Sequence, residues 1–139
     1  ADLAQLAAFF QAVWQALAPG GFLVFDCVDK RGIDNSAGIT TYLNDGEHHF
    51  TFHSRWAYPG HGNQQALQLF IELEHNGECQ RWQDHHPMVA VSLPQLQGIL
   101  SAQGFESLVF ERNFEQLIAW QGESYNLLIV AQKPPQCGC

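Results

Sequence analysis

Apolar residues at Leu3, Leu6, Phe10, Val13, Trp14 and Leu17 recur at helical spacing, so residues 2 to 17 predict an amphipathic helix with Asp2 as its N-cap. Pro19-Gly20-Gly21 ends it, because proline forbids further helix and the glycines permit the left-handed turn of a helix-to-strand corner. The run from Phe22 to Phe25 is apolar at every position, the pattern of a strand buried on both faces, and Asp26 and Cys27 complete that strand. The stretch Asp29 to Gly38 then reads as a polar loop.

From Ile39 to about Val91 the period changes to two, and the turn signals Asn44-Asp45-Gly46, Pro59-Gly60-His61-Gly62-Asn63 and Asn76-Gly77 divide this region into the four strands of an antiparallel meander. A two-residue turn at Asn76-Gly77 sets Ile71 opposite Trp82 and Glu72 opposite Arg81. Extended across the longer loop, this register lines one face with Phe50, Phe52, Trp56, Leu67, Leu69, Ile71, Leu73 and Trp82, a face expected to be buried. His49, Thr51, His53, Arg55, Glu72 and Glu74 fall on the other, expected to be polar and open.

The helical period returns at Ser92, where Ser92 and Gln95 form a capping box and Gly104 a C-cap, with Leu93, Leu96, Ile99 and Leu100 as the buried face. Gly98 within that helix suggests close approach of a neighbour. Phe105 to Arg112 predicts a strand, Phe114 to Gln121 a short helix, Asn126 to Gln132 a last buried strand, and Lys133 to Cys139 an irregular tail.

Three stretches, in this order, resemble the class I S-adenosylmethionine-dependent methyltransferases. Leu17 to Cys27 is similar to the family's corner and fifth strand, Ser92 to Phe105 to its next helix with a terminal Gly-Phe, and Tyr125 to Pro134 to its closing strand. The resemblance implies an α/β fold: the carboxyl-terminal half of a doubly wound, Rossmann-like sheet carrying an antiparallel β-meander insertion. Residues 1–27 and 92–134 would form the half core, 28–91 the substrate-side insertion, and 135–139 a tail. Its core strands would lie in the order first, last, middle, the last antiparallel to the others. The family's glycine-rich cofactor loop and the acidic residue ending its second strand have no counterpart in the sequence, and the chain starts without methionine inside a helix. S-adenosylmethionine is thus expected as cofactor of a full-length protein, with no cofactor-binding residues in this chain. The isolated chain is expected to be inactive and to self-associate through the open edge of its first strand.

Composition narrows the partners. Hydrophobic residues make up 46% of the 139 residues and aromatics 12%, enough for a core in one domain. A net charge of −8, with six Lys plus Arg and no basic cluster, argues against nucleic acid. No apolar run approaches the roughly 20 residues of a bilayer span, and a cytoplasmic protein with no membrane partner is expected. Cys27, Cys79, Cys137 and Cys139 read as free thiols, and Cys137-Gly138-Cys139 could hold a metal only with ligands from elsewhere. His49 and His53 lie too far apart along one strand to share an ion, so no metal is expected.

Methyl transfer from a sulfonium depends mainly on alignment, with a base helping when the acceptor is a hydroxyl or protonated amine. His85 and His86, expected where the meander rejoins the core, are the candidates for a base or substrate contact; the alternative is an exposed connector before Pro87. Asp26, at the carboxyl end of its strand, either meets substrate or caps the following loop. Asn113 and Tyr125 should reach the same edge. Tyr42, Arg55 and Trp56 complete the substrate-binding candidates, against a bland reading as solvated face and sheet core. Two functional readings follow: the substrate-side part of a small-molecule methyltransferase, or a self-contained α+β ligand-binding module without catalysis. An interaction domain that lost catalysis is a third. The first needs a meander separate from two mutually parallel core strands; the second needs one antiparallel sheet.

Overall fold

A computed structural model describes residues 2–113 and 115–135. Helix α1 (Leu3–Ala16) opens with a capping box in which the Asp2 carboxylate accepts from the Gln5 amide at 2.8 Å and the Gln5 side chain accepts from the Asp2 amide at 3.1 Å. At its other end Lys133 Nζ donates to the carbonyls of Trp14 and Leu17, each at 2.8 Å, placing a cation where the helix dipole is negative. Strands β1 (Phe22–Val28), β6 (Glu106–Glu111) and β7 (Asn126–Gln132) form a three-stranded sheet in the order β1-β7-β6. That is the first, last, middle order expected from the resemblance.

β7 is antiparallel to both neighbours, so β1 and β6 run in one direction without touching. Among the described residues every paired strand is antiparallel, and the observed class is α+β rather than the expected α/β. The physical reason is the intervening β7: a parallel neighbour for β1 would need a further strand on its outer side.

One face of this sheet is closed. Leu127, Ile129 and Ala131 of β7 are 0 to 1% exposed, Phe10 of α1 meets Phe25 of β1 with ring centroids 5.5 Å apart, and Trp14 stands edge-on to Phe105 at 5.0 Å. Helix α2 (Leu93–Ala102) contacts β6 and α1, burying Leu93, Leu96 and Leu100. It starts with the expected Ser92–Gln95 capping box and ends in a Schellman motif, with Phe105 N donating to Leu100 O and Gly104 N to Ser101 O. Gly104 is required twice over, by a φ of +96° and because a Cβ there would stand 2.9 Å from the Trp14 ring. Gly98, expected to mark close packing, faces open space, so no neighbour demands it.

The expected helix from Phe114 to Gln121 does not form over Glu115 to Gln121; Phe114 lies outside the described residues. The Asn113 side chain instead accepts the amides of Glu115 and Gln116, and this local bonding diverts the chain back along β6. Glu111 N then donates to Ile118 O and Trp120 N to Val109 O.

The chain separates into two units, one formed up to Gly32 and from Ala90 onward, the other by Ile33–Val89. The second unit is a four-stranded meander of β2 (Ile39–Asn44), β3 (His48–Ala57), β4 (Gln64–His75) and β5 (Glu78–Val89). Its register is the predicted one: Ile71 pairs with Trp82 and Glu72 with Arg81 around a turn where Asn76 and Gly77 both have positive φ. The apolar face is less enclosed than expected. Phe50, Trp56, Ile71 and Leu73 are half-buried, while Phe52 and Trp82 are 37% and 49% exposed, because this unit is one sheet thick. No helix in the described residues is long and apolar enough to cross a membrane.

Candidate functional site

The most constrained group of the first unit is one that the sequence reading left in a polar loop. Asp29, 2% exposed, follows β1; its amide donates to Tyr125 O at 2.9 Å, and its carboxylate accepts from Arg31 N, Nε and Nη2 at 2.7 to 2.9 Å and from Leu93 N, the first residue of α2, at 2.8 Å. Lys30 N donates to Val91 O alongside. A Cβ at Gly32 would overlap the Tyr125 ring, so glycine lets the chain pass there. One residue thus ties the end of β1, through its carboxylate, to the start of α2 and, through its amide, to the approach to β7. Burial acts to raise its pKa, but the Arg31 guanidinium and the Leu93 and Arg31 amides outweigh burial and hold the carboxyl below the usual range. The available signal was an Asp two residues before an Arg at a strand end, an Asx-type turn.

Asp26 projects from the opposite side of β1 and sits 3.4 Å from Arg112, both side chains being solvent-accessible. Its neighbour Cys27 is pushed up to about 11, by burial first and then by the carboxylates of Asp26 and Asp29, against the opposing Arg112. Burial and the two carboxylates thus disfavour the thiolate form. Tyr125 lies beside Asp29 with the Arg31 guanidinium 5.7 Å from its ring centre, and Asn113 caps the turn after β6.

In the meander the sequence-nominated residues divide between two faces. Arg55, Gln68 and His85 form one cross-strand row, with Arg55 Nε donating to Gln68 Oε1 at 2.8 Å. Trp56, Leu67 and His86 form the matching row on the other face, where His86 Nε2 lies 3.2 Å from Asp84. His85 and His86 are thus inside β5, not in a connector, and as adjacent strand residues they point opposite ways. Pro87 is accommodated because β5 is an edge strand. Tyr42 lies on the Arg55 face of the other edge strand, opposite Thr51 and 75% exposed.

That face holds a hollow of about 430 Å³ bounded by Thr51, His53, Phe70, Glu72, Arg81 and Gln83. Arg81 Nε donates to Glu72 at 2.6 Å, and this hydrogen bond, then the nearby positive charge, keeps the Glu72 carboxyl low despite some desolvation. His53 Nδ1 lies 2.9 Å from the Thr40 hydroxyl, and its ring crosses Gly38, where any Cβ would collide with it. The Arg55 guanidinium stands 5.3 Å from the centre of the Phe70 ring. Sequence reasoning placed His53, Arg55 and Glu72 on one face but not Phe70 among them. Among the described residues no three His, Cys, Asp or Glu side chains converge as metal ligands, and Cys137 and Cys139 lie outside those residues.

No family model and no curated protein matches the chain. Solved structures do. The amino pentose methyltransferase CalS10 of Micromonospora echinaspora, solved with S-adenosylmethionine bound, superimposes with a TM-score of 0.73 at 16% identity over 96% of this chain and 52% of its own. The sugar N-methyltransferase KedS8 of a Streptoalloteichus species gives 0.73 at 16% identity over 96% and 51%. An S-adenosylmethionine-dependent methyltransferase of Clostridium acetobutylicum gives 0.68 at 12% over 96% and 52%. The chain spans about half the length of the structures it matches. Its fold is that of the carboxyl-terminal half of S-adenosylmethionine-dependent methyltransferases.

Proposed function

We propose that this chain is the substrate-side part of an S-adenosylmethionine-dependent methyltransferase acting on a small molecule of the amino-sugar class. The carrying observation is that 96% of the chain superimposes on about half of an amino pentose methyltransferase. The meander is a sheet separate from β1 and β6, which run in one direction, and this favours the methyltransferase reading over a single-sheet binding module.

S-adenosylmethionine, when bound, supplies an activated methyl group. The described residues do not fit it. Both α-helix N-termini are closed by the chain's own side chains, Asp2 and Gln5 at α1 and Ser92, Gln95 and Asp29 at α2, and neither leaves a cradle of free amides. The chain's own work is to hold the acceptor amine and accept its proton. In the meander His85 shares a face with Tyr42 and Arg55, and His86 shares the other with Trp56, so each candidate base comes with its own candidate contacts, while Asp26 is a separate candidate in the first unit. Because His85 and His86 face opposite ways, only one of them acts.

The test is to join the chain to an amino-terminal cofactor-binding half, in one polypeptide or by co-expression, and follow labelled methyl from S-adenosylmethionine. Transfer to the nitrogen of an amino sugar is expected, and the isolated chain should give no saturable calorimetric signal with the cofactor at micromolar concentration. A completed protein that binds the cofactor yet methylates no amino sugar, or an isolated chain that binds it tightly, contradicts the reading.

A further inference from the structure

We infer that the face of the meander carrying Phe52 and Trp82 is where two copies of this chain associate, sheet against sheet about a two-fold axis. The meander is one sheet thick, and its faces differ in charge. His49, Arg55, Glu72, Glu74 and Arg81 fall on one of them. On the other, the cross-strand row of Thr41, Phe52, Ile71 and Trp82 spans all four strands without a charge, and so does the adjoining row from Leu43 to Gln80. Carboxylates of the four strands reach this face only along the β5 margin, at Glu78 and Asp84. Its edges are the least covered: Ile39 and Leu43 of β2 are 70% and 55% exposed, and Trp82 of β5 is 49% exposed.

A partner for this face must bring apolar surface without adding charge, and a second copy does both. The chain has a net charge of −8, so two copies repel wherever their charged surfaces meet, and on this uncharged face the repulsion is smallest. Aromatic residues with few charges are also the composition of an interface core. Size agrees. β3, with 10 residues, gives the face a length of about 33 Å, and the four strands give it a width of about 19 Å. The flat area is about 600 Å², the upper end of the apolar patch a monomer commonly exposes. Two copies together would bury about 1,200 Å², the lower bound for a specific interface. Stacked face to face, each meander becomes the second layer of the other, as in a sandwich of two sheets whose strands lie within about 30°. A two-fold arrangement uses the same patch on both copies and closes at two. It leaves the face of Tyr42, Arg55 and His85 open.

The experiment is sedimentation velocity on the whole chain from about 1 to 200 μM, with tryptophan emission followed over the same series. A reversible monomer–dimer step in the micromolar range is expected, with emission moving to the blue as dimer forms and that shift lost in Trp82→Phe. Ile39→Glu and Trp82→Glu, both at exposed edge positions, should weaken the dimer at least roughly tenfold while the far-ultraviolet circular dichroism stays that of wild type. Ile39→Thr keeps a β-branched residue in the strand, should weaken it several-fold, and guards against a glutamate variant that fails to fold. Tyr42→Glu, on the opposite face of β2, should leave the dimer unchanged. Val24→Glu, on β1, should leave the dimer step intact and reduce only association beyond it. A chain monomeric throughout the series overturns the inference. So does a dimer lost in Tyr42→Glu as fully as in Ile39→Glu, which marks pairing along the β2 edge, or one lost in Val24→Glu and kept in Ile39→Glu and Trp82→Glu, which marks pairing at β1.

Discussion

Beyond β6 the chain turns back and lays Ile118 and Trp120 along that strand through bonds of 2.8 and 3.1 Å, whereas beyond β1 no described strand follows. The faces of the same sheet differ as sharply. On the helix side Leu127, Ile129 and Ala131 are sealed, while on the other side Phe22, Val24 and Leu108 are 57%, 58% and 64% exposed. A strand apolar at every position, such as Phe22 to Phe25, is built to be covered on both sides. Here half of that demand is met. The comparison shows where the fold has its own partners and where it has the surface of an unfinished layer, an open edge being a template for pairing.

The largest expected effect separates the two faces. Leu127→Ala should cost about 3 kcal/mol in urea unfolding, the range for a fully buried leucine, and Val24→Ala under about 1 kcal/mol. Equal costs would mean that the bare face is covered in solution, and the concentration dependence of the Val24→Ala unfolding midpoint would show whether a second copy covers it.

Next in size is the tie at Asp29. Asp29→Asn removes a buried carboxylate that holds Arg31 and the α2 amide, and about 2 kcal/mol should be lost at neutral pH. Because the folded carboxyl titrates below its usual range, its stabilisation is full above about pH 4 and is lost as pH falls through the lower folded value. The gap between wild type and variant should therefore close in acid, and a gap that stays constant in acid would show that charge on Asp29 is not what matters.

A smaller effect follows at Cys27. With its pKa pushed up to about 11, it should be alkylated by iodoacetamide at pH 8 far more slowly than the exposed Cys79, as read by peptide mass spectrometry. Comparable rates would place Cys27 on the open side of the sheet. The expected self-association tests the same edge: Val24→Pro removes a ladder donor and should lower the mass seen by light scattering at high concentration. A wild-type chain that stays monomeric across a dilution series would contradict self-association through β1.

What was legible in the sequence was local and periodic. Asn76-Gly77 fixed the meander register to the residue, down to the Glu72–Arg81 ion pair, because a two-residue turn leaves no freedom. The Asp2 N-cap and the Ser92–Gln95 capping box were readable because each is local, whereas the Gln5 half of the first box was not read. The misses depended on tertiary context. The apolar run around Leu117 and Ile118 looked helical, but Asn113 captured two backbone amides and β6 offered a ladder. Alternation along β3 and β4 assigned faces but not what covers them, so Phe52 was expected to be buried and is exposed. Gly98 had no structural reason to find. The candidate site was legible as a face carrying His53, Arg55 and Glu72. Phe70 falls on that face by the same alternation, two residues before Glu72 on β4 and opposite His53, and was passed over because it is apolar.

Amide hydrogen exchange on the chain, diluted until monomeric, measures the contrast between the two edges directly. The outward-facing amides of β1 from Phe22 to Val28 should exchange orders of magnitude faster than those of Glu111 and Trp120, which are bonded across the β6 edge. β1 amides as protected as Glu111 in the monomer would contradict the half-sheet account.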